Sequence, residues 1–293
     1  MVINYLSIKV EYLPERENPQ DILQSAAQAI IALNNIEETI AKSIGNNIST
    51  KLVLQDFEKG SLVVKVMRFF EEPESQLLGE NTDSESNSKF VEESRDLAIK
   101  KISEGKKKIT SLEINEIING IDELAKNHGV NKSIQYVSLN PIEIANGLNE
   151  LTKATKPLEK NEIISIRNEE KEDINEIYHK IPNDISIDLD EIEKSITDEV
   201  IENTIDSILT IKKPDFLGES QWSFKKGKEQ LLAKITDYEW YEKFKSGQLI
   251  ITPGDALSVK VHEITHYDKF GRVISLKRDI IKVISIIHKE SKR

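Results

Sequence analysis

The 293-residue sequence contains no cysteine, and this absence removes several classes of function at once. Disulfide frameworks, cysteine-ligated zinc, iron–sulfur clusters and thiol catalysis all need a cysteine side chain. Glycine is scarce at 12 residues, and neither of the glycine-rich phosphate-binding patterns, G-x-x-x-x-G-K-[S/T] and G-x-G-x-x-G, occurs. The serines include no G-x-S-x-G element, so nucleophilic hydrolysis has no local signature.

Long apolar runs are also absent. The nearest, "VISLKRDIIKVISII", is interrupted by charged residues, whereas a membrane-spanning helix needs about 20 apolar residues. The first residues, "MVINYLSIKVEYLPERE", lack the basic and apolar regions of a secretory signal peptide. We therefore expect a soluble cytoplasmic protein with no membrane contact.

Charge is distributed unevenly along the chain. The whole sequence has 51 Asp and Glu against 40 Lys and Arg, a net charge of −11. Residues 206–293 hold 17 basic and 12 acidic side chains, a net of +5, so residues 1–205 carry −16. Nine of the 17 aromatic residues lie in this basic third. The change in composition predicts a separate C-terminal domain.

Residues 1–70 are predicted to form a β-α-β-β domain. The segment "LSIKVEY" alternates apolar and polar residues, as a half-buried strand does. A helical pattern then begins near Asn18 and ends near Gly45. Two β-rich runs follow on either side of Glu58–Ser61, which is typical of a hairpin. A helix packed on a small antiparallel sheet is the expected result.

The middle of the chain is predicted to be helical and acidic. Residues 71–89, rich in Ser, Glu and Asn, have the composition of a polar linker or loop. Residues 90–205 follow, with helical spacing in "FVEESRDLAIKKISEG", "SLEINEIINGIDELAKNHG" and "NPIEIANGLNELTKAT". The acidic stretch 161–199 has a mixed pattern that indicates no single element.

Residues 206–293 are predicted to form a small antiparallel β-barrel of OB or SH3 type. Short strand-like runs such as "DSILTIKK", "QLLAKI", "QLIITPGD" and "DALSVKVHEIT" recur between turn residues. One short helix is expected at "DYEWYEKFKSG". The predicted fold class is therefore α+β, with an N-terminal β-α-β-β unit, a helical middle region and a C-terminal barrel.

Four segments of this last third, "PDFLGESQWSF", "AKITDYEW", "GDALSVKV" and "DKFGRVISLKR", form a pattern of Trp, Gly-Asp and alternating apolar residues. In this pattern the chain resembles a C-terminal module of uncharacterised bacterial proteins, some of them linked to mobile elements or phage defence. The resemblance covers roughly residues 210–288. It implies a bacterial, defence-like context and assigns no site residue.

The segment Val261–Gly271, "VHEITHYDKFG", matches the zinc-protease pattern H-E-x-x-H. On a helix, His262 and His266 would share a zinc ion, Glu263 would act as general base, and Glu290 could supply a third ligand. The β-branched residues and two-residue alternation around the motif favour a strand instead. Histidines four residues apart on a strand are separated by about 13 Å, too far to share one ion. The strand is our prediction, and it implies no cofactor.

A second candidate site lies in the basic third, at Trp222, Lys225, Lys226 and Lys228. Small barrels bind nucleic acid by stacking bases on aromatic rings and by contacting phosphates with basic side chains. The same spacing fits a barrel core that contains Trp222 and Phe224, with the lysines at a hairpin tip. We favour the core interpretation.

The leading functional hypothesis from the sequence is a non-enzymatic interaction or regulatory subunit with a protein partner. The missing catalytic signatures, the low glycine count and the long amphipathic helices all favour it, and the resemblance suggests a bacterial defence-like assembly. Nucleic-acid binding through the C-terminal barrel is the first alternative, and a zinc-dependent hydrolase that uses His262 and His266 is the second.

Overall fold

The computed structural model describes the following residues: 2–13, 17–45, 48–58, 62–71, 84–104, 106–133, 135–169, 179–215, 220–252 and 254–289. The chain divides into two compact units, Met1–Ser195 and Ile196–Arg293. Helices and strands are mixed along the chain, which confirms the α+β class. None of the helices in the described ranges is long and apolar enough to span a membrane.

The first unit contains a five-stranded sheet, two very short strands, five α-helices and one 3-10 helix, Val130–Lys132, among its described residues. In chain order these elements are β1 (Val2–Glu11), α1 (Gln20–Ile44), β2 (Ser49–Glu58), β3 (Leu62–Glu71), α2 (Ser84–Ser103), β4 (Lys108–Ile109), α3 (Ser111–Asn127), α4 (Pro141–Ala154), β5 (Ile163–Glu169), β6 (His179–Ile181), β7 (Ser186–Ile187) and α5 (Leu189–Ile196).

The large sheet has the strand order β2-β3-β1-β5-β6, and every pair of neighbours is antiparallel. The predicted β-α-β-β start is confirmed, and β3 lies between β1 and β2 in a split β-α-β arrangement. Strand β5, from the middle region, pairs with β1, so residues 1–70 are not a unit of their own. This pairing joins segments about 160 residues apart, and local periodicity carries no information about it.

The expected linker at residues 71–89 is a helix over its last part. Helix α2 begins at Ser84, and residues 72–83 of the predicted linker lie outside the described residues. The predicted helical region 90–205 also includes strands β5 and β6, and its last residues belong to the first strand of the second unit. Among the described residues between 161 and 199, the acidic, mixed pattern therefore reflects the short strands β5, β6 and β7 followed by helix α5.

Helices pack against the sheet through alternate residues of its strands. Leu6, Ile8 and Val10 of β1 are almost completely buried beneath them. Helix α4 approaches α1 closely at Gly147, where an added Cβ would lie 2.7 Å from Ile36 Cγ1. A larger residue at this position would push the two helices apart.

A buried ionic cluster joins helices α1 and α2 to strand β5. Arg95 of α2 is only 1% exposed, and its guanidinium group contacts the fully buried carboxylate of Glu37 on α1. The same group donates to Asp96 at 2.8 Å and to Asn168 on β5. Burial lowers the pKa of Arg95, but the carboxylates of Asp96 and Glu37 outweigh this effect, so its pKa is raised and the charge is kept.

A second arginine extends the cluster to β3. Arg68, also 1% exposed, donates to the carbonyl oxygen of Ser88 at 3.2 Å and to the carboxylate of Glu92 at 3.1 Å. Asn4 of β1 donates to the same carboxylate. Burial raises the pKa of Glu92, and pairing with Arg68 opposes that rise. Helix α2 is thus held on the sheet by charged hydrogen bonds as well as by apolar contacts.

Replacing Arg95 with Met is expected to lower the free energy of unfolding of the first unit by about 3–5 kcal/mol. The variant leaves the Glu37 carboxylate buried without its counter-ion, which costs more than the loss of an exposed pair. Urea unfolding followed by far-ultraviolet circular dichroism measures the change, since the long helices lie in this unit.

Lys100→Met is the matched control, because Lys100 is an exposed residue on the same helix. It should change stability by less than about 0.5 kcal/mol. The double variant Arg95→Met/Glu37→Met should recover part of the loss. Equal stability of Arg95→Met and Lys100→Met would contradict a structural role for the cluster.

The second unit is a closed five-stranded barrel, as predicted for the C-terminal region. Its elements are β8 (Glu199–Lys213), β9 (Trp222–Lys226), β10 (Glu229–Ile235), α6 (Tyr238–Lys245), β11 (Ala256–Tyr267) and β12 (Val273–Ile287). The predicted short helix is α6. The expected strand in "QLIITPGD" is absent from its described residues, since Gln248–Thr252 are irregular chain after α6.

The strand order distinguishes between the two predicted barrel types. Going around the barrel, the order is β8-β9-β10-β12-β11, which closes on β8. Numbered from its first strand this is 1-2-3-5-4, with a parallel contact between the third and fifth strands and a helix between the third and fourth. This is the arrangement of an OB fold, a five-stranded Greek-key barrel.

Aromatic residues fill one part of the barrel core. Trp222 and Phe224 on β9 are 1% and 0% exposed, and their ring centroids lie 6.1 Å apart. Helix α6 contributes Phe244, whose ring centroid is 5.1 Å from that of Trp222. Helix α6 and strand β9 therefore both contribute aromatic rings to this part of the core.

Two buried aspartates hold the ends of the barrel strands. Asp255 accepts hydrogen bonds from the backbone N–H of Lys289 at 3.0 Å and of Thr252 at 2.8 Å, and its carboxylate lies 3.0 Å from His288 Nδ1. These donors hold the pKa of Asp255 well below its usual range. Asp237 caps α6 and accepts from the N–H of Val283 on β12.

Asp255 makes the stability of the second unit dependent on acid pH. Because its folded-state pKa is lowered, its contribution is complete above the unfolded pKa of about 3.9 and is lost as the pH falls further. The midpoint of thermal unfolding should therefore fall steeply below about pH 4. Tryptophan fluorescence follows this unit alone, since both tryptophans lie in it.

Asp255→Asn should unfold at a lower temperature than the wild type at neutral pH and should show a weaker dependence on acid. Asp206→Asn is the control, because Asp206 lies on the exposed surface of β8. An unchanged acid profile in Asp255→Asn would contradict the role of this carboxylate.

Candidate nucleic-acid interface

Lysines are concentrated on the outer side of three neighbouring barrel strands. The alternation along each strand turns Ile211, Phe224 and Leu231 into the core and leaves the intervening residues outside. Six lysines lie on this side or at its β9–β10 turn, and we call them the basic face: Lys212, Lys213, Lys225, Lys226, Lys228 and Lys234.

Register brings residues that are distant in the sequence together on the basic face. Lys225 lies directly opposite Thr210 on β8 and Gln230 on β10. Gln230 accepts a hydrogen bond from Lys212 and donates to Ser223 at 3.1 Å, so side chains from all three strands are connected. Neighbouring strands are about 4.8 Å apart, and alternate residues along a strand about 6.6 Å, so these lysines lie close together among neutral polar residues.

Two carboxylates are in register with lysines of the basic face: Glu229 lies opposite Lys226, and Asp279 on β12 lies opposite Lys234. Glu229 lies at the start of β10, and its carboxylate is 3.6 Å from Arg278 on β12. Asp215 accepts hydrogen bonds from Ser220. The face can therefore hold a chain of phosphates or another extended polyanion by charge.

The structure places the predicted cluster residues in two different environments. Lys225, Lys226 and Lys228 are exposed on the basic face, as the sequence predicted. Trp222 is buried in the core and cannot stack on a base, so its assignment as a binding residue is wrong. The reason is strand parity: Trp222 and Phe224 share the face opposite to Lys225. Apart from these two rings, β8, β9 and β10 contain no aromatic residue.

Sequence reasoning missed Lys212, Lys213 and Lys234. They join the cluster only because β8 and β10 both pair with β9, and this pairing is a property of the closed barrel. The two adjacent lysines that end "DSILTIKK" already indicated in the sequence that this strand has a basic end.

The H-E-x-x-H motif lies on β11, which confirms the predicted strand. His262 and His266 are four residues apart on it, about 13 Å by strand rise. His262 has Glu202 Oε2 at 3.3 Å and Thr204 Oγ1 at 3.4 Å across the ladder, whereas the Glu263 carboxylate accepts from Arg278 on the other face.

The third ligand expected for a helical zinc site, Glu290, lies outside the described residues. Within the described residues no group of three His, Asp or Glu side chains is arranged to hold a metal ion. The motif therefore contributes to cross-strand hydrogen bonding and ion pairing, with His262 on one face of β11 and Glu263 on the other.

Comparisons of the chain with protein-family models, with curated proteins and with solved structures found no match. The candidate interface therefore rests on its own geometry and charge. The resemblance to proteins of mobile elements or phage defence stays a prediction.

The spacing of the two histidines predicts that zinc bound to the purified protein does not depend on His262. Elemental analysis of the untagged wild type and of His262→Ala should give the same zinc content, and His179→Ala serves as the control. Stoichiometric zinc that is lost only in His262→Ala would contradict the strand geometry.

Proposed function

We propose that this chain is a nucleic-acid-binding subunit and that the basic face of its barrel contacts the phosphates of a single strand. The observation that carries the proposal is the concentration of six lysines on adjacent strands of an OB barrel. OB barrels bind oligonucleotides through the surface of their second and third strands. In this chain those strands are β9 and β10, and together with the turn between them they carry four of the six lysines.

The proposed binding is electrostatic and tolerant of sequence. Base stacking needs aromatic rings on the binding surface, and the rings of β9 are in the core. Lysine acts as a point charge toward phosphate and does not read base edges on its own. The net charge of −11 for the whole chain does not prevent this, since residues 206–293 carry a net +5.

Binding of fluorescein-labelled oligothymidylate by the full-length chain should weaken steeply with salt. The triple variant Lys225→Gln/Lys226→Gln/Lys228→Gln removes up to three phosphate contacts. It should reduce the slope of log affinity against log salt by about 2, at roughly 0.7 for each contact to a single strand. Fluorescence anisotropy over a series of salt concentrations measures both quantities.

Lys243→Gln/Lys245→Gln is the matched control, because these two exposed lysines lie on α6 and not on the strands or the turn of the basic face. It should keep the wild-type slope. The proposal would be contradicted if the wild type did not bind, or if the triple variant kept the wild-type slope of log affinity against log salt.

A second candidate is an interaction subunit with a protein partner, which is the leading hypothesis from the sequence. Strands β8, β11 and β12 continue past the part of the barrel that β9 and β10 cover, and large apolar residues on this extension are exposed: Val200 by 46%, Ile201 by 38%, Val273 by 50% and Leu276 by 40%. Exposed apolar residues on paired strands are typical of a surface that contacts another chain. A role in a defence-like assembly stays a prediction.

A further inference from the structure

The first half of β8 forms one border of the extension. Residues 199–204 are exposed on both faces, and β11 pairs with the whole stretch from Glu199 to Thr210 on one side. On the other side, β9 reaches β8 only at Thr210 and beyond. Among the described strands, none pairs with this second side before Thr210. We call the stretch Glu199–Leu209 the β8 edge.

The register shows which backbone groups of the β8 edge face outward. Residues of an antiparallel strand point their N–H and C=O groups alternately to one neighbour and to the other. The N–H of Ile211 donates to the carbonyl of Asp255 at 2.9 Å, in line with the ladder to β11, and no bulge interrupts that ladder. The odd-numbered residues therefore face β11. The outward donors and acceptors belong to Val200, Glu202, Thr204, Asp206 and Ile208.

The β8 edge lacks most of the devices that normally block strand addition. Natural edge strands are protected by charged side chains, lysine above all, and by proline, bulges or short length. This one contains no lysine and no proline, it has no bulge in its register with β11, and five of its 11 residues are Val, Ile or Thr. Its charged side chains are all carboxylates, so the edge is open to a strand of opposite charge.

The charges of the edge select the chemistry of the added strand. Every ionisable side chain from Glu199 to Leu209 is acidic, and Glu202 and Asp206 are 60% and 72% exposed. Carboxylates placed opposite carboxylates destabilise a strand pair, whereas opposite charges stabilise it. A second β8 would bring like charges together, and the phosphates of a nucleic acid would be repelled.

We propose that the β8 edge binds an extended, lysine- or arginine-rich polypeptide segment by β-strand addition. Main-chain hydrogen bonds to the outward groups of β8 supply the affinity, and the carboxylates of Glu199, Glu202 and Asp206 select the basic partner. This assignment rests on the second candidate function and gives its partner a chemical class. It uses no residue of the basic face.

The test uses the full-length chain and a synthetic peptide that alternates lysine with valine and threonine. Hydrogen–deuterium exchange should show saturable slowing at the amides of residues 200, 202, 204, 206 and 208. A peptide with glutamate in place of each lysine should slow them far less. Equal protection by the two peptides, or no protection by the basic one, would overturn the proposal.

Thr204→Pro removes one outward N–H and fills the space of the incoming strand, while Thr204→Ala keeps the N–H. The proline variant should bind the basic peptide at least about tenfold more weakly than the alanine variant, a difference of about 1.4 kcal/mol. Where Thr204→Pro does not fold, Glu202→Lys/Asp206→Lys replaces it, and this variant should prefer the acidic peptide. Unchanged preference or affinity in these variants would contradict strand addition.

Two outcomes separate this proposal from its alternatives. Protection that grows with protein concentration in the absence of peptide, together with a dimer mass by light scattering, would assign the edge to a second copy. The triple lysine variant of the basic face should bind the peptide as the wild type does, and Thr204→Pro should bind oligothymidylate normally. Loss of binding at the basic face and loss of binding at the β8 edge are therefore measured independently of each other.

Discussion

Side chains alternate between the two faces of a strand, and this constraint determines how the barrel divides its residues between core and surface. On β9 it turns Trp222 and Phe224 inward and Lys225 outward. On β11 it buries Val261 and leaves His262 beside Glu202 on the outer surface. A slip of one residue in either strand would exchange these environments, which is why the apolar inner face fixes the register.

The first unit depends on a second kind of constraint, because charged groups are buried where helices meet the sheet. Arg68 and Arg95 are each 1% exposed and bring carboxylates and amides from two helices and three strands together. Such groups have few arrangements in which all of them are paired, so they restrict how α2 can lie on the sheet. In the sequence, the segment that contains Arg95 has only the periodicity of an ordinary amphipathic helix.

Local patterns were sufficient for the elements that depend on neighbouring residues. The β-α-β-β start, helices α2 to α4 and the barrel strands follow from periodicity and from turn residues. The pairing of β1 with β5, the gathering of Lys212 and Lys234 with Lys225, and the length of β8 depend on contacts between distant segments. The predicted strand "DSILTIKK" begins at Asp206, whereas β8 begins at Glu199. Residues 199–205 are held in the strand by their pairing with β11, a contact between distant segments that the local sequence does not reveal.

One strand carries both proposed surfaces, and the charges along it are segregated. Glu202 lies in the acidic edge and Lys212 in the basic face, ten residues apart, or about 33 Å along a strand. At physiological salt the Debye length is about 8 Å, so each exposed surface is largely screened from the other. A basic segment on the edge and a nucleic acid on the face can then be bound together without competing for charge. At low salt the screening weakens, and neutralising the edge would favour phosphate binding on the face, with an equal and reciprocal effect on the segment.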